Sequence, residues 1–286
     1  MDVIEIIKDA FVFPSKDMKT LLIYVLLSLV AAGFSFFGTV VYVLGFVNPE
    51  CFMWGGMAVI ISLLIGWVMY GYLISVIKSG IEQSDEVPGF EWWENFITGF
   101  NNFIVTIVYF VIPAFITVIV GYMTNVYGNA MIVAQEIYLQ ATYSYMGSSS
   151  AIAFDAIYQA LVNLLFSLTI TITVAVVVFV IFSFLQTMAE ARLANTGSLS
   201  EALNVFEAAK DIRRIGIGKV IILVLLVIII VAVIEMIFSA LFSIIPILSI
   251  LSIIIAPYLA FFAQRAVGLL YSDIASYFKL FFFSFF

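Results

Sequence analysis

Six long apolar runs dominate the chain and constrain it more than any other feature. They extend from Lys19 to Val47, Phe52 to Ile77, Phe103 to Tyr122, Gln159 to Leu185, Val220 to Ile245 and Ile247 to Leu270. Each is at or above the ~20 residues with which an α-helix crosses ~30 Å of hydrocarbon. With 65% apolar and 10% charged residues, 286 residues carry too little polar surface for a water-soluble globule. The sequence predicts an all-α integral membrane protein of six transmembrane helices, forming a single membrane domain over 1–286.

Once six spans are drawn, all eleven Lys and Arg residues fall on one side. Lys8, Lys16 and Lys19 precede the first span and Lys78 follows the second. Arg192, Lys210, Arg213, Arg214 and Lys219 lie between the fourth and fifth, and Arg265 and Lys279 end the chain. Because short cytoplasmic loops are enriched in Lys and Arg, both termini are expected inside the cell, in the cytoplasmic membrane. The first span has no cleavage pattern behind it and is expected to be retained. A net charge of −7 argues against nucleic acid as a partner, which calls for a basic surface. The expected partners are the lipid bilayer and other membrane proteins, including a second copy of this chain.

Each pair of spans has an amphipathic lead-in on the basic side. The first places Val3, Ile4, Ile7 and Phe11 on one face; the second, after Pro88 and Gly89, places Phe90, Trp93, Ile97 and Phe100. The third starts at Ser198, with Glu201 in position to close a capping box, and presents Leu199, Leu203 and Phe206. Such helices lie in the membrane interface. The chain then reads as three parallel repeats of interfacial helix and hairpin, over 1–80, 88–192 and 198–286. Equally open is the reading that amphipathic lead-ins are a general way to build a six-span protein. The outer connection from Met123 to Ala153 is expected to hold a short surface helix near Ala130 to Leu139, followed by Gly147 and three serines. The tail from Tyr277 to Phe286 is too short to cross and is expected in the inner interface. Arg265 is expected to snorkel to the surface.

Few groups are available for chemistry. The chain has no His and one Cys, so the usual zinc and haem ligand sets and the Ser-His and Cys-His nucleophile pairs are excluded. No cofactor, no metal and no enzymatic activity are expected. Glu235 is the one ionisable residue deep within an apolar run, where a charged acid costs about 3 kcal/mol on insertion scales. Ser239 and Ser243 follow it at i+4 steps. The fourth span carries Asp155, Gln159, Asn163, Ser167 and Thr171 at the same spacing, and Ser249 and Ser252 begin the sixth. Counting residues inward sets Glu235 near the depth of Ser167 and Thr171. Glu235, Ser239, Ser243, Asp155, Gln159, Asn163 and Ser167 are the candidate binding residues of a polar seam in the outer half, ending at Glu235. The same pattern also serves plain hydrogen bonding between packed helices.

The segments Gly71-Tyr72-Leu73 through Gly80, Val87-Pro88-Gly89-Phe90-Glu91-Trp92, Gly99-Phe100 and Tyr109-Phe110-Val111-Ile112-Pro113 carry a likeness to a known family. So does Met188-Ala189-Glu190 through Gly197 to Phe206-Glu207. Together they resemble the multi-pass membrane proteins filed as domain of unknown function 4013, found mainly in methanogenic archaea. The resemblance implies an archaeal cytoplasmic membrane and transfers no role to any residue. Two functions are therefore expected. The first is a non-enzymatic membrane module that interacts with lipids or partner membrane proteins. The alternative is a small transporter or channel subunit with an outer-half polar pocket ending at Glu235.

Overall fold

A computed structural model describes residues 1–145 and 152–283, and among these every regular element is helical. In chain order these are α1 (Val3–Val12), a 3-10 turn (Phe13–Lys16), α2 (Met18–Leu44), α3 (Glu50–Ile81), α4 (Trp92–Met123) and α5 (Val126–Tyr145). They continue with α6 (Ile152–Thr196), α7 (Leu199–Ala202), α8 (Val205–Ile215), α9 (Ile217–Ile244), a 3-10 segment (Pro246–Leu251) and α10 (Ser252–Phe283). Six stretches are long and apolar enough to cross a membrane: α2, α3, α4, α6, α9 and Pro246–Ala275. The protein is thus an all-α, multi-pass membrane protein.

Local chemistry sets the boundaries. Asp17 caps α2 by accepting from the Lys19 and Thr20 amides, and the Thr20 hydroxyl also donates to it at 2.6 Å. These bonds hold the Asp17 carboxyl below the usual carboxylate range. Gly197 ends α6 with φ +66°, and Gly216 separates α8 from α9 with φ +106°, backbone conformations that a side chain would strain. Pro246 opens the 3-10 segment that follows α9. Pro113 and Pro257 lie inside α4 and α10.

The chain divides into two compact units, residues 1–106 with 185–286, and residues 107–184. In the first unit α3 is the hub, and glycine pairs bring its neighbours close. A Cβ on Gly38 of α2 would lie 2.9 Å from the Val59 backbone of α3, and one on Gly80 of α3 would lie 2.9 Å from Arg265 and Gly268 of α10. Gly71 of α3 and Gly99 of α4 face each other so closely that a Cβ on either would overlap a backbone carbonyl of the other helix, of Asn95 or Trp67. Small residues that admit backbone contact are how membrane helices gain dispersion energy when lipid offers no hydrophobic drive. Gly38 and Gly71 thus make such contacts, whereas Gly33 and Gly66 face open space.

Aromatic rings fill the basic end of this unit. Tyr72 stacks on Phe90 at 4.1 Å and donates its hydroxyl to the Pro88 carbonyl at 3.0 Å. Tyr24, Phe261, Phe13, Leu21, Leu73 and Val76 complete the cluster. The Val87-Pro88-Gly89-Phe90 segment is thereby folded onto α3.

The lead-ins differ from expectation in detail. In α1, Ile6 and Ala10 are buried while Ile4 and Phe11 stay exposed, so the helix docks through a strip beside the expected apolar face. The second lead-in is not a separate helix, because α4 runs unbroken from Trp92 through the span. At the third, Ser198 accepts from the Glu201 amide, but the Glu201 carboxylate turns away to pair with Arg192, so the capping box is half formed. The most amphipathic segment is instead α8, capped by Asn204. Arg265 does not snorkel: it is 1% exposed, because Asp9 at 2.9 Å, the Ser79 hydroxyl at 3.2 Å and the Phe13 ring at 4.3 Å surround it with partners.

In the second unit, α5 is twice the expected length and hydrogen-bonds to α6. Gly147, Ser148, Ser149 and Ser150, and the side chains of the tail from residue 276 onward, lie outside the described residues.

Candidate functional site

The residues picked from the sequence divide between the two units, each described by itself. In the second, Asp155, Gln159 and Asn163 are exposed along α6. Ser167 and Thr171 are buried and engaged by neighbours. The Asn129 amide of α5 donates to the Ser167 hydroxyl at 3.1 Å and to the Asn163 carbonyl at 3.3 Å. The Thr124 and Thr171 hydroxyls share a hydrogen bond at 2.8 Å. The inner part of the expected seam therefore joins α4, α5 and α6. In the first unit, Glu235, Ser239 and Ser243 share one face of α9 and all are exposed. The Ser243 hydroxyl donates back to the Ser239 carbonyl at 2.9 Å, and Ser252 does the same to Ser249 at 2.6 Å. Glu235 has no hydrogen-bond partner among the described residues.

A site not expected from the sequence lies wholly within the first unit. A cavity of about 570 Å³ opens between α2, α3, the first turns of α4 and the last turns of α6. Ala31, Ala32, Leu63, Gly66, Trp67 and Phe103 give it an apolar wall, and Trp67 is wedged against Phe96, Phe100 and Phe103 at 4.9–5.7 Å. Its polar end is built from two i, i+4 pairs, Asn102 with Thr106 on α4 and Gln186 with Glu190 on α6. The Gln186 amide donates to the Glu190 carboxylate at 3.1 Å and to the Thr106 hydroxyl at 3.3 Å, tying the two helices together. Asn102 is 6% exposed, and its Oδ1 is buried without a hydrogen-bond partner. An unpaired buried acceptor costs about 1–3 kcal/mol.

Sequence reading missed this site because the fourth apolar run ends at Leu185, which assigned Gln186 and Glu190 to the inner loop. The helix in fact continues to Thr196. The paired i, i+4 spacing of Asn102/Thr106 and Gln186/Glu190 is the feature that could have disclosed it.

Beyond the polar end, several basic residues are held by acids. Arg192, 3% exposed, pairs with Asp211 at 2.7 Å and with Glu201. Asp211, fully buried, also accepts from the Tyr271 hydroxyl at 2.8 Å and pairs with Arg214 at 2.8 Å. Lys219 pairs with Asp273. Lys16 pairs with Asp85 at 2.7 Å and Lys210 with Glu207 at 2.6 Å, and each cation holds its carboxyl below the usual range. None of these cations lines the cavity. Among the described residues no three His, Cys, Asp or Glu side chains converge to hold a metal ion.

Six long apolar helices, with buried ion pairs and a cavity beside α3 in the first unit, define a multi-pass membrane protein. Residues 54–243 match the family described as protein of unknown function DUF4013, and the chain belongs to that family. No curated protein and no solved structure matches it.

Proposed function

We propose that this protein is a non-enzymatic membrane module that holds a lipid in the groove between α2, α3, α4 and α6. The observation that carries this reading is the lining of the cavity: mostly apolar along α2 and α3, with Ser35, Ser62 and Tyr70 as exceptions, and polar at Asn102 and Thr106 of α4 and Gln186 and Glu190 of α6. Such a lining fits a lipid, its chain along the apolar wall and its head at the polar residues. The distribution of Lys and Arg supports an orientation with the basic side and both termini in the cytoplasm, in the cytoplasmic membrane. Resemblance to family members from methanogens supports an archaeal one.

Gly66 provides the test, because a Cβ there meets nothing within 4 Å and Gly66 lines the cavity. Gly66→Leu should fill the groove without disturbing the fold, and leucine favours the helix. Native mass spectrometry of the purified full chain should show bound lipid on the wild type and its loss in the variant. Equal lipid on both would overturn the reading. The alternative, a transporter or channel subunit ending at Glu235, is tested separately by labelling at Asn163.

A further inference from the structure

We propose that this groove selects lipids with an uncharged hydroxyl head, of the diacylglycerol class, over lipids with a phosphate head; this rests on the lipid-holding reading above. Its polar lining comes from Ser35, Ser62 and Tyr70 of α2 and α3, and from Thr106, Gln186 and Glu190 of α4 and α6. Asn102 lines it too, but its carbonyl oxygen is sealed from the groove. Among the described residues no Lys or Arg lines it. The groups on offer are hydroxyls, an amide and one acid. The Gln186 amide is committed to Glu190 and Thr106, which leaves the Gln186 carbonyl oxygen as an acceptor and the Thr106 hydroxyl as a donor. The Ser62 hydroxyl donates to the Ala31 carbonyl at 2.9 Å, whereas the Ser35 and Tyr70 side chains make no described hydrogen bond.

A phosphate seated here would be an anion with no cation to meet it, and an ion taken out of water without a counter-charge is strongly penalised. Arg192, the basic residue nearest to Glu190 in sequence, is occupied by Asp211 and Glu201. Glu190 does not help in either protonation state. Ionised, it repels a phosphate; protonated, it offers one O–H and no charge. A phosphoethanolamine head meets the same obstacle, because its phosphate lies between the ammonium and the glycerol. A hydroxyl is uncharged and both donates and accepts. It accepts from Thr106 and donates to the Gln186 carbonyl oxygen or to Glu190, so it finds partners whichever state Glu190 is in. The chains then lie along the apolar wall at Ala31, Leu63 and Trp67.

The test is competitive native mass spectrometry of the full chain in detergent. Diacylglycerol and lipids with phosphoglycerol or phosphoethanolamine heads, all with identical chains, are supplied in equal amounts. The wild type is expected to prefer diacylglycerol by at least about tenfold over both others, since an unpaired charge costs more than one tenfold step in affinity. Thr106→Val removes the hydroxyl and keeps the shape, and should reduce that preference at least about threefold, the worth of one hydrogen bond. Tyr70, 59% exposed and without a described hydrogen bond, is the site for adding a cation. Tyr70→Lys should bring the three heads to within about twofold or reverse their order, and it decides the matter alone if Thr106→Val does not fold. Parity of heads on the wild type, preference for a phosphate head, or an undiminished preference in either folded variant would overturn the proposal and leave the lipid-holding reading standing. Failure of the wild type to retain any lipid would overturn both.

Discussion

Asp211 offers the sharpest quantitative test, because its carboxylate serves Arg192, Tyr271 and Arg214 from a fully buried position. Replacing it by Ala leaves the Arg192 Nη1 group and the Tyr271 hydroxyl without their acceptor. Breaking one side of a buried ion pair typically costs about 3–5 kcal/mol. Here Arg192 retains Glu201, which is half exposed, so the lower end of that range is expected for the charge. The orphaned Tyr271 hydroxyl adds about 1 kcal/mol. Arg214 is about half exposed and retains Glu207 nearby, so it contributes little. The sum is about 4 kcal/mol, several times the ~1 kcal/mol expected for Tyr271→Phe, which removes a single hydrogen bond. Unfolding of the purified protein by increasing SDS in mixed micelles, followed through the four Trp residues, measures the differences. Arg192→Met with Asp211→Leu should recover much of the loss, since an apolar pair of similar size removes both desolvation penalties. An Asp211→Ala effect no larger than that of Tyr271→Phe would refute the reasoning. Because Arg192 is two residues beyond Glu190, the same network fixes the end of α6 that forms the polar wall of the groove, and Asp211→Ala should also weaken lipid retention.

Other outcomes follow from single features. Gly99→Ala should cost at least about 1–3 kcal/mol in the same assay, since its Cβ would overlap the Trp67 carbonyl and force α3 and α4 apart; a neutral effect would mean that the crossing is looser than described. In a Cys51→Ser background, Asn163→Cys should resist a membrane-impermeant thiol reagent added from the side of the Asn48 loop, where Asn48→Cys should react. Labelling at Asn163 would favour the transporter or channel reading. The depressed carboxyl of Asp17 stabilises the start of α2 at neutral pH, and this contribution should fade only as the pH falls below about 4, from the ordinary Asp value toward the lower folded one. Asp17→Ala should remove that acid dependence and about 1 kcal/mol with it; an unchanged acid profile would count against the cap.

The spans were legible because apolar length is a property of the sequence alone: a helix must be long enough to cross, and ~20 apolar residues have no comparable solution in water. The Ser198 boundary was readable for the same reason, being set by the residue and its immediate neighbours. What touches what across helices was not. Arg265 reads as a snorkelling cation until Asp9, Ser79 and Phe13 are folded around it from elements far apart in the chain. Gly66 and Gly71 are alike in sequence, yet one faces a groove and the other a backbone carbonyl, a difference set by where α4 crosses α3. Glu190 stands beyond the end of an apolar run and so reads as a loop acid; only the continuation of α6 to Thr196, and the approach of Asn102 and Thr106 from α4, make it the end of a cavity. The sequence determined a six-span bundle and which residues are basic, because hydropathy and charge are summed residue by residue. The tertiary structure alone decided which polar groups meet, because that depends on close approaches between helices whose apolar surfaces, seen from lipid, are nearly interchangeable.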